Sequence, residues 1–167
     1  MSDAVNLVIL GASGDLTHRL LLPGLGTLLA AQPKRKVRLV GAAADELTQE
    51  QWQQRVAEAV GGSGCTQKVV DRLVQGTRYV RVDATSATDL RALLDGLTGP
   101  VVLYFALPPA ISMRACEALS TFGLPEQVSL AIEKPFGTDR APARPLPGLL
   151  RRPAPAGRGL RLHPSRR

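Results

Sequence analysis

Five short strand-like segments, most of them largely apolar and each separated from the next by a segment with helical spacing, constrain the fold of this chain most. Buried parallel strands are apolar along their whole length, and helical crossovers are needed to join them. The pattern therefore predicts an α/β fold, a doubly wound parallel sheet with helices on both faces. The predicted strands are Val5–Leu10, Val37–Val40, Thr77–Val82, Val101–Ala106 and Val128–Ile132.

The segments between these strands carry the signals that start and stop helices. Residues 16–31 are predicted to be helical, although Pro23, Gly24 and Gly26 should kink or weaken that helix. Thr48 and Gln51 have the spacing of a capping box, and Ser86 can cap a later helix. Three apolar stripes at helical spacing are Trp52, Val56, Ala59 and Val60; Val69, Val70, Leu73 and Val74; and Leu90, Leu93, Leu94 and Leu97. Gly76 can end the second of these helices as a C-cap. A further helix is predicted at 110–119.

Positive charge is concentrated at the end of the chain. The formal net charge is +7, but residues 1–139 contain 13 Lys and Arg against 14 Asp and Glu. Residues 140–167 contain eight Arg and no Lys, Asp or Glu. Because the first 139 residues are nearly neutral, the charge distribution argues against a nucleic-acid partner for the folded part.

The last 28 residues differ in composition from everything before them. Arg, Pro, Ala and Gly supply 21 of these positions, a mixture that is typical of disordered sequence because it cannot form a packed core. We therefore expect a domain at 1–139 and a disordered basic Arg/Pro-rich tail at 140–167. GC-rich codons specify those four residue types, which favours an out-of-frame origin for the tail. The alternative is a functional basic arm that binds nucleic acid or acidic lipid.

Cysteine content and hydropathy indicate the compartment. Cys65 and Cys116 fit neither a metal-binding spacing nor a disulfide framework, so no metal is expected and a reducing cytoplasm is the default. No apolar run approaches the ~18 residues of a membrane span, so no membrane association is predicted.

The turn after the first strand is rich in small residues. It reads Gly11-Ala12-Ser13-Gly14-Asp15-Leu16, which lets backbone N–H groups approach a diphosphate at the start of a helix. The strict G-x-G-x-x-G pattern is not met, because positions 13 and 16 are Ser and Leu. By itself such a turn is a weak signal.

Three segments together carry a more specific signal. The phosphate turn continues through Arg19 to Leu22-Pro23, the fourth strand ends in Tyr104-Phe105-Ala106-Leu107-Pro108-Pro109, and the fifth is followed by Glu133-Lys134-Pro135-Phe136-Gly137. In order and spacing these segments resemble the N-terminal NAD(P)-binding domain of glucose-6-phosphate dehydrogenases. The resemblance covers residues 5–139 and implies a Rossmann-like fold.

The family oxidises glucose 6-phosphate to 6-phosphogluconolactone by hydride transfer to NADP, at the start of the pentose phosphate pathway. The resemblance implies that cofactor diphosphate is bound by Gly11, Ala12, Ser13, Gly14, Asp15 and Leu16. It places Lys134 between nicotinamide and sugar, in contact with both, and makes Pro135 cis. It also implies a homo-oligomer for the intact enzyme.

Three positions depart from the family pattern. Ala44 stands where the family has an Arg that binds the 2′-phosphate of NADP, so NAD is possible in place of NADP. Asp45 could accept a ribose 2′-OH, or could be only a solvated residue at a helix start. His18 replaces a basic residue after the phosphate turn, and an exposed helical histidine is the simpler interpretation.

The family's catalytic segment, Arg-Ile-Asp-His-Tyr-Leu-Gly-Lys-Glu, does not occur in these 167 residues. It supplies the base that removes the proton of the C1 hydroxyl. The other histidine, His163, has none of these neighbours, so no catalytic residue is assigned. We expect a truncated enzyme that is inactive alone; the alternatives are a non-catalytic dinucleotide-binding module and a basic-tailed nucleic-acid-binding protein.

Overall fold

The computed structural model describes residues 4–132 and contains one five-stranded sheet in which every neighbouring pair is parallel. The strand order is β3-β2-β1-β4-β5. This arrangement confirms the predicted α/β, Rossmann-like doubly wound sheet. The strands are β1 Val5–Leu10, β2 Val37–Ala43, β3 Arg78–Arg81, β4 Val101–Phe105 and β5 Val128–Ile132.

Helices connect the strands, as parallel pairing requires. A π-helical turn, Thr17–Leu21, leads into the first regular helix. The helices are α1 Leu22–Ala31, α2 Gln49–Gly61, α3 Gln67–Gly76, α4 Ala87–Asp95 and α5 Pro109–Ser120. No helix within residues 4–132 is long and apolar enough to cross a membrane.

Alternate residues of β1 face two separate cores, because successive side chains of a strand point to opposite faces. Val8 and Leu10 belong to a cluster with residues of α4 and α5. Ile9 belongs to a second cluster with residues of α1, α2 and α3. The central strand is therefore buried on both faces, which explains why its sequence is apolar except for Asn6, whose side-chain amide donates to Thr98 O and Pro100 O.

The register aligns the carboxyl ends of the three central strands. Leu10 at the end of β1 is opposite Ala42 of β2 and Phe105 of β4. The loops that follow these strands therefore emerge at one edge of the sheet.

Side-chain caps begin three helices, and two of these caps were predicted from the sequence. Thr48 and Gln51 form the reciprocal capping box of α2. Thr66 caps α3 and Ser86 caps α4 through their hydroxyl oxygens, which accept from Val69 N and Asp89 N. Thr66 was missed because no acidic or amide residue stands three positions after it.

One local prediction was wrong and another was confirmed. Gly76 is the last residue of α3 and Thr77 follows as the cap with φ −80°, so the helix ends without a left-handed glycine. The helix predicted at 16–31 is confirmed and runs from residue 15 to residue 31, and its regularity is interrupted by the π turn Thr17–Leu21 just before Pro23. The wide π turn directly before α1 lies where the proline ring would otherwise clash with the preceding turn.

Several predictions concern residues outside the described range. They are the roles of Lys134 and Pro135, the domain boundary at residue 139, the nature of the 140–167 tail and the surroundings of His163.

Candidate functional site

The strand order places a crevice between β1 and β4. Going along the chain, β2 and β3 are added on one side of β1, and β4 and β5 on the other. At such a switch point the two following loops diverge, and α/β proteins bind ligands outside the carboxyl ends of these strands. Here those ends are followed by Gly11 and Ala106.

Gly11 crosses very close to the end of β4. Its φ is +89°, and a Cβ at this position would lie 2.2 Å from the carbonyl oxygen of Ala106. No other residue type fits both the backbone conformation and this approach. The carbonyl oxygen of Gly11 accepts from Gly14 N at 3.0 Å and from the buried Thr17 hydroxyl at 3.1 Å, which fixes the turn.

The six predicted diphosphate-binding residues do form one turn, but their amides differ. Gly11 N and Ala12 N both donate to Ala42 O, at 2.8 and 3.2 Å, and Gly14 N donates to Gly11 O. Within residues 4–132, the N–H groups of Ser13, Asp15 and Leu16 donate to no backbone carbonyl. These three donors lie at the start of a helix and are free to bind an anion.

The side chains of the turn have different surroundings. Ala12 is buried in the core under α1 and α2, whereas Gly14 is exposed. Asp15 is exposed and forms an ion pair with Arg19 at 3.0 Å. His18 is exposed, as expected for a histidine on the open face of this helix.

Polar residues beside the turn form a surface that we call the polar rim. Its members are Ala44, Asp45 and Glu46 after β2, Tyr79 and Arg81 of β3, and Arg55 of α2. Ala44 is exposed, and its carbonyl oxygen accepts from Arg81 Nε at 3.0 Å. Arg81 also pairs with Glu46 at 2.6 Å. Arg81 therefore places a guanidinium group next to Ala44.

Asp45 connects the rest of this rim to the phosphate turn. Its carboxylate accepts a hydrogen bond from the hydroxyl of Ser13, and its carbonyl oxygen accepts from the Tyr79 hydroxyl at 2.6 Å. Because α2 begins at Gln49 and is capped by Thr48, Asp45 is not a helix-start residue. Asp45 is exposed, as the solvated alternative expects, but it is not at a helix start.

Three residues of the rim were not assigned a role from the sequence: Arg55, Tyr79 and Arg81. Arg55 donates from Nη1 to Ser13 O at 3.2 Å. Burial, and secondly the charge of Asp45, raise the pKa of the Tyr79 hydroxyl, while Arg55 and Arg81 oppose this. The only sequence signal was the two-residue spacing of Tyr79 and Arg81, which puts both on one face of β3.

A cavity of about 480 Å³ adjoins the rim between β3 and the start of α2. Its lining residues are Glu46, Leu47, Thr48, Gln51, Tyr79 and Arg81. The described residues contain no group of three or more His, Cys, Asp and Glu placed to hold a metal ion. What the site offers a ligand is a set of backbone N–H donors at the crevice, beside a rim that carries both positive and negative side chains.

Comparison with known proteins gives a consistent family. The family model described as "Glucose-6-phosphate dehydrogenase, NAD binding domain" matches residues 8–154. The glucose-6-phosphate 1-dehydrogenases of Mycolicibacterium smegmatis and Gluconobacter oxydans are 34% and 32% identical, over 85% and 84% of this chain. The chain spans only about a third of the length of these relatives, 32% and 31%.

Solved structures agree with the sequence comparison. The crystal structure of glucose-6-phosphate 1-dehydrogenase from Mycobacterium avium matches with a TM-score of 0.68 and 28% identity, over 81% of this chain and 31% of that one. The family match covers well over half of the chain, including all of β2 to β5 and the phosphate turn. The chain therefore belongs to the glucose-6-phosphate dehydrogenase family, in the part that corresponds to its NAD binding domain.

Proposed function

We propose that this chain is the dinucleotide-binding part of an enzyme that oxidises glucose 6-phosphate to 6-phosphogluconolactone. The observation that carries the proposal is the set of three free amides, on Ser13, Asp15 and Leu16, at the crevice between β1 and β4. A diphosphate is the group that best fits N–H donors at a helix start beside such a crevice. Gly11 supports the same interpretation because it brings the turn against the end of β4.

The cofactor in this proposal is NAD(P), of which NADP is the form that the family resemblance implies. When bound, its nicotinamide accepts the hydride from C1 of the sugar. The preference between NADP and NAD depends on the residues at the end of β2, where Ala44 has replaced Arg. Lys134 is proposed to contact both nicotinamide and sugar, since an ammonium can donate to hydroxyl and phosphate oxygens.

The proposed reaction also needs a base outside the described crevice. Of the six residues of the phosphate turn only Asp15 has an acidic side chain, and its carboxylate is paired with Arg19. We therefore assign binding and orientation of the dinucleotide to this chain, and proton removal to a segment of the intact enzyme. The reaction belongs to carbohydrate metabolism, in the pentose phosphate pathway, and we place the enzyme in the cytoplasm.

A non-catalytic dinucleotide-binding module is the second candidate. One observation favours it. The described residues contain the whole phosphate turn and the polar rim, although the chain spans only about a third of the length of its relatives. Both candidates require dinucleotide binding, so binding is the first property to measure.

Isothermal titration of the 167-residue chain with NAD and NADP tests the proposal, using Leu16→Pro and Leu16→Ala as a matched pair. Leu16 has φ −58°, which proline adopts, and proline is tolerated in the first helical turn. The proline variant therefore removes one free N–H donor, and the alanine variant removes only the side chain. We expect dinucleotide affinity to fall about tenfold or more in Leu16→Pro relative to Leu16→Ala.

Circular dichroism of both variants checks that the fold is retained. Equal affinities of the two folded variants, or no binding of either dinucleotide by the unmodified chain, would overturn the proposed site.

A further inference from the structure

Asp45 is placed where the adenosine ribose of a bound dinucleotide must lie. The phosphate turn and the end of β2 are direct neighbours, since Gly11 N and Ala12 N donate to Ala42 O. A ribose attached to a diphosphate at the turn therefore lies over the end of β2. The Asp45 carboxylate is on this path, because it accepts from the hydroxyl of Ser13 within the turn.

The Asp45 carboxylate is held in place but still has free hydrogen-bond acceptor positions. Tyr79 holds the backbone of Asp45 at 2.6 Å, and Ser13 occupies one oxygen of the side chain. No cation lies within ion-pair distance of this carboxylate in the range 4–132. A carboxylate has about four acceptor positions, so it can still accept from both hydroxyls of a ribose.

The cations near Asp45 already have partners. Arg81 donates to Ala44 O and pairs with Glu46, and Arg55 donates to Ser13 O. The formal charges of Asp45, Glu46, Arg55 and Arg81 sum to zero. A 2′-phosphate carries about −1.5 to −2 charges at neutral pH, and here it would meet the Asp45 carboxylate directly.

We propose that Asp45, positioned by Ser13 and Tyr79, makes this site select NAD over NADP by accepting hydrogen bonds from the ribose hydroxyls and repelling a 2′-phosphate. This inference rests on the proposed dinucleotide site. It assigns the choice between NAD and NADP to the Asp45 carboxylate, at a site where the family resemblance implies an Arg in place of Ala44.

Titration of the 167-residue chain with NAD and NADP tests this inference, because the two ligands differ only in the 2′-phosphate. We expect NAD to bind at least ten times more tightly than NADP. In Asp45→Asn, NAD affinity should fall and NADP affinity should rise, so that the ratio of the two dissociation constants changes at least tenfold. Glu50→Gln removes an exposed carboxylate from the first turn of α2 and should leave the ratio unchanged.

Arg81→Gln provides a second variant that addresses the opposite assignment. If Arg81 were the ligand of a 2′-phosphate, its loss would weaken NADP binding and leave NAD binding unaffected. That result, or NADP binding as tight as NAD in the unmodified chain, or an unchanged ratio in Asp45→Asn, would overturn the inference while the dinucleotide site stands. Binding of neither ligand would overturn the site itself, and this inference with it.

Discussion

The indole Nε1 of Trp52 donates a hydrogen bond to the hydroxyl of Thr77 at 2.9 Å, and both side chains are buried. The same hydroxyl donates to Leu39 O at 2.7 Å. Helix α2 is thereby tied to the start of β3 and to β2 at a single oxygen atom. Because Arg55 is on α2 and Tyr79 is on β3, this bond helps to hold the two sides of the polar rim together.

Thr77→Val should destabilise the domain. The substitution keeps the size of the side chain but leaves the Trp52 N–H and the Leu39 carbonyl without partners, which costs about 1–3 kcal/mol for each buried group. We expect the free energy of unfolding to fall by about 2 kcal/mol or more. Urea denaturation followed by fluorescence of Trp52, the single tryptophan of the chain, measures this.

Thr77→Ser is the matched control, since it keeps the hydroxyl and removes a methyl group. Equal stabilities of the serine and valine variants would show that the shared hydroxyl contributes nothing.

Gly41→Ala should also destabilise the fold, through contact with the same tryptophan. A Cβ at Gly41 would lie 2.6 Å from Cζ2 of the buried Trp52 ring, which is rigid and enclosed. Overpacking of this kind costs about 1–3 kcal/mol. Gly24→Ala is the control, because nothing lies within 4 Å of a Cβ there. Its midpoint of urea unfolding should rise, since alanine favours a helix interior; a fall for Gly24→Ala, or none for Gly41→Ala, contradicts the packing argument.

The sheet was predictable from the sequence because its central strands β1, β2 and β4 are largely buried. Val5–Leu10 and Val128–Ile132 were predicted with the bounds that the structure shows, and the capping box at Thr48 was predicted to the residue. Apolar runs and local caps are short-range signals, and the parallel order follows from the helices between the strands. At Gly76 the predicted cap was wrong because Thr77, which follows it, is held in an extended conformation between Trp52 and Leu39.

The phosphate turn was predictable as a segment, but the roles of its amides were not. Which N–H groups are free depends on Ala42, which is 30 residues away in sequence and adjoins the turn only through the sheet register. The contacts of Asp45 with Ser13 and Tyr79 likewise join three separate elements. Such long-range contacts leave no periodic signal in the sequence, so the part of the polar rim formed by Arg55, Tyr79 and Arg81 required the structure.

The 167-residue chain on its own should not oxidise glucose 6-phosphate with either NAD or NADP. Hydride loss from C1 requires removal of the hydroxyl proton, and the phosphate turn offers only the ion-paired Asp15. Absorbance of reduced nicotinamide, followed over hours at high protein concentration, should stay at the blank. The M. smegmatis relative serves as the positive control. Sugar-dependent reduction above the blank would contradict the assignment of the base to another segment.

Alkaline conditions should destabilise the domain through Cys116. The thiol is 1% exposed, and burial, with a smaller contribution from Glu117, raises its pKa from 9.0 to about 11. A folded-state pKa above the unfolded value means that stability is complete below pH 9 and is lost as the pH rises towards 11. We expect this loss to reach about 2 kcal/mol near pH 11.

Urea unfolding at a series of pH values tests the assignment to Cys116. Tyr79 also has a raised pKa and adds to the alkaline loss, so the informative quantity is the difference between variants. In Cys116→Ala the decrease in unfolding free energy between pH 9 and pH 11 should be smaller than in the unmodified chain by about 2 kcal/mol. Cys65→Ala, which removes the half-buried thiol, should keep the full decrease. Parallel pH profiles for the two variants would show that the Cys116 thiol is not the titrating group.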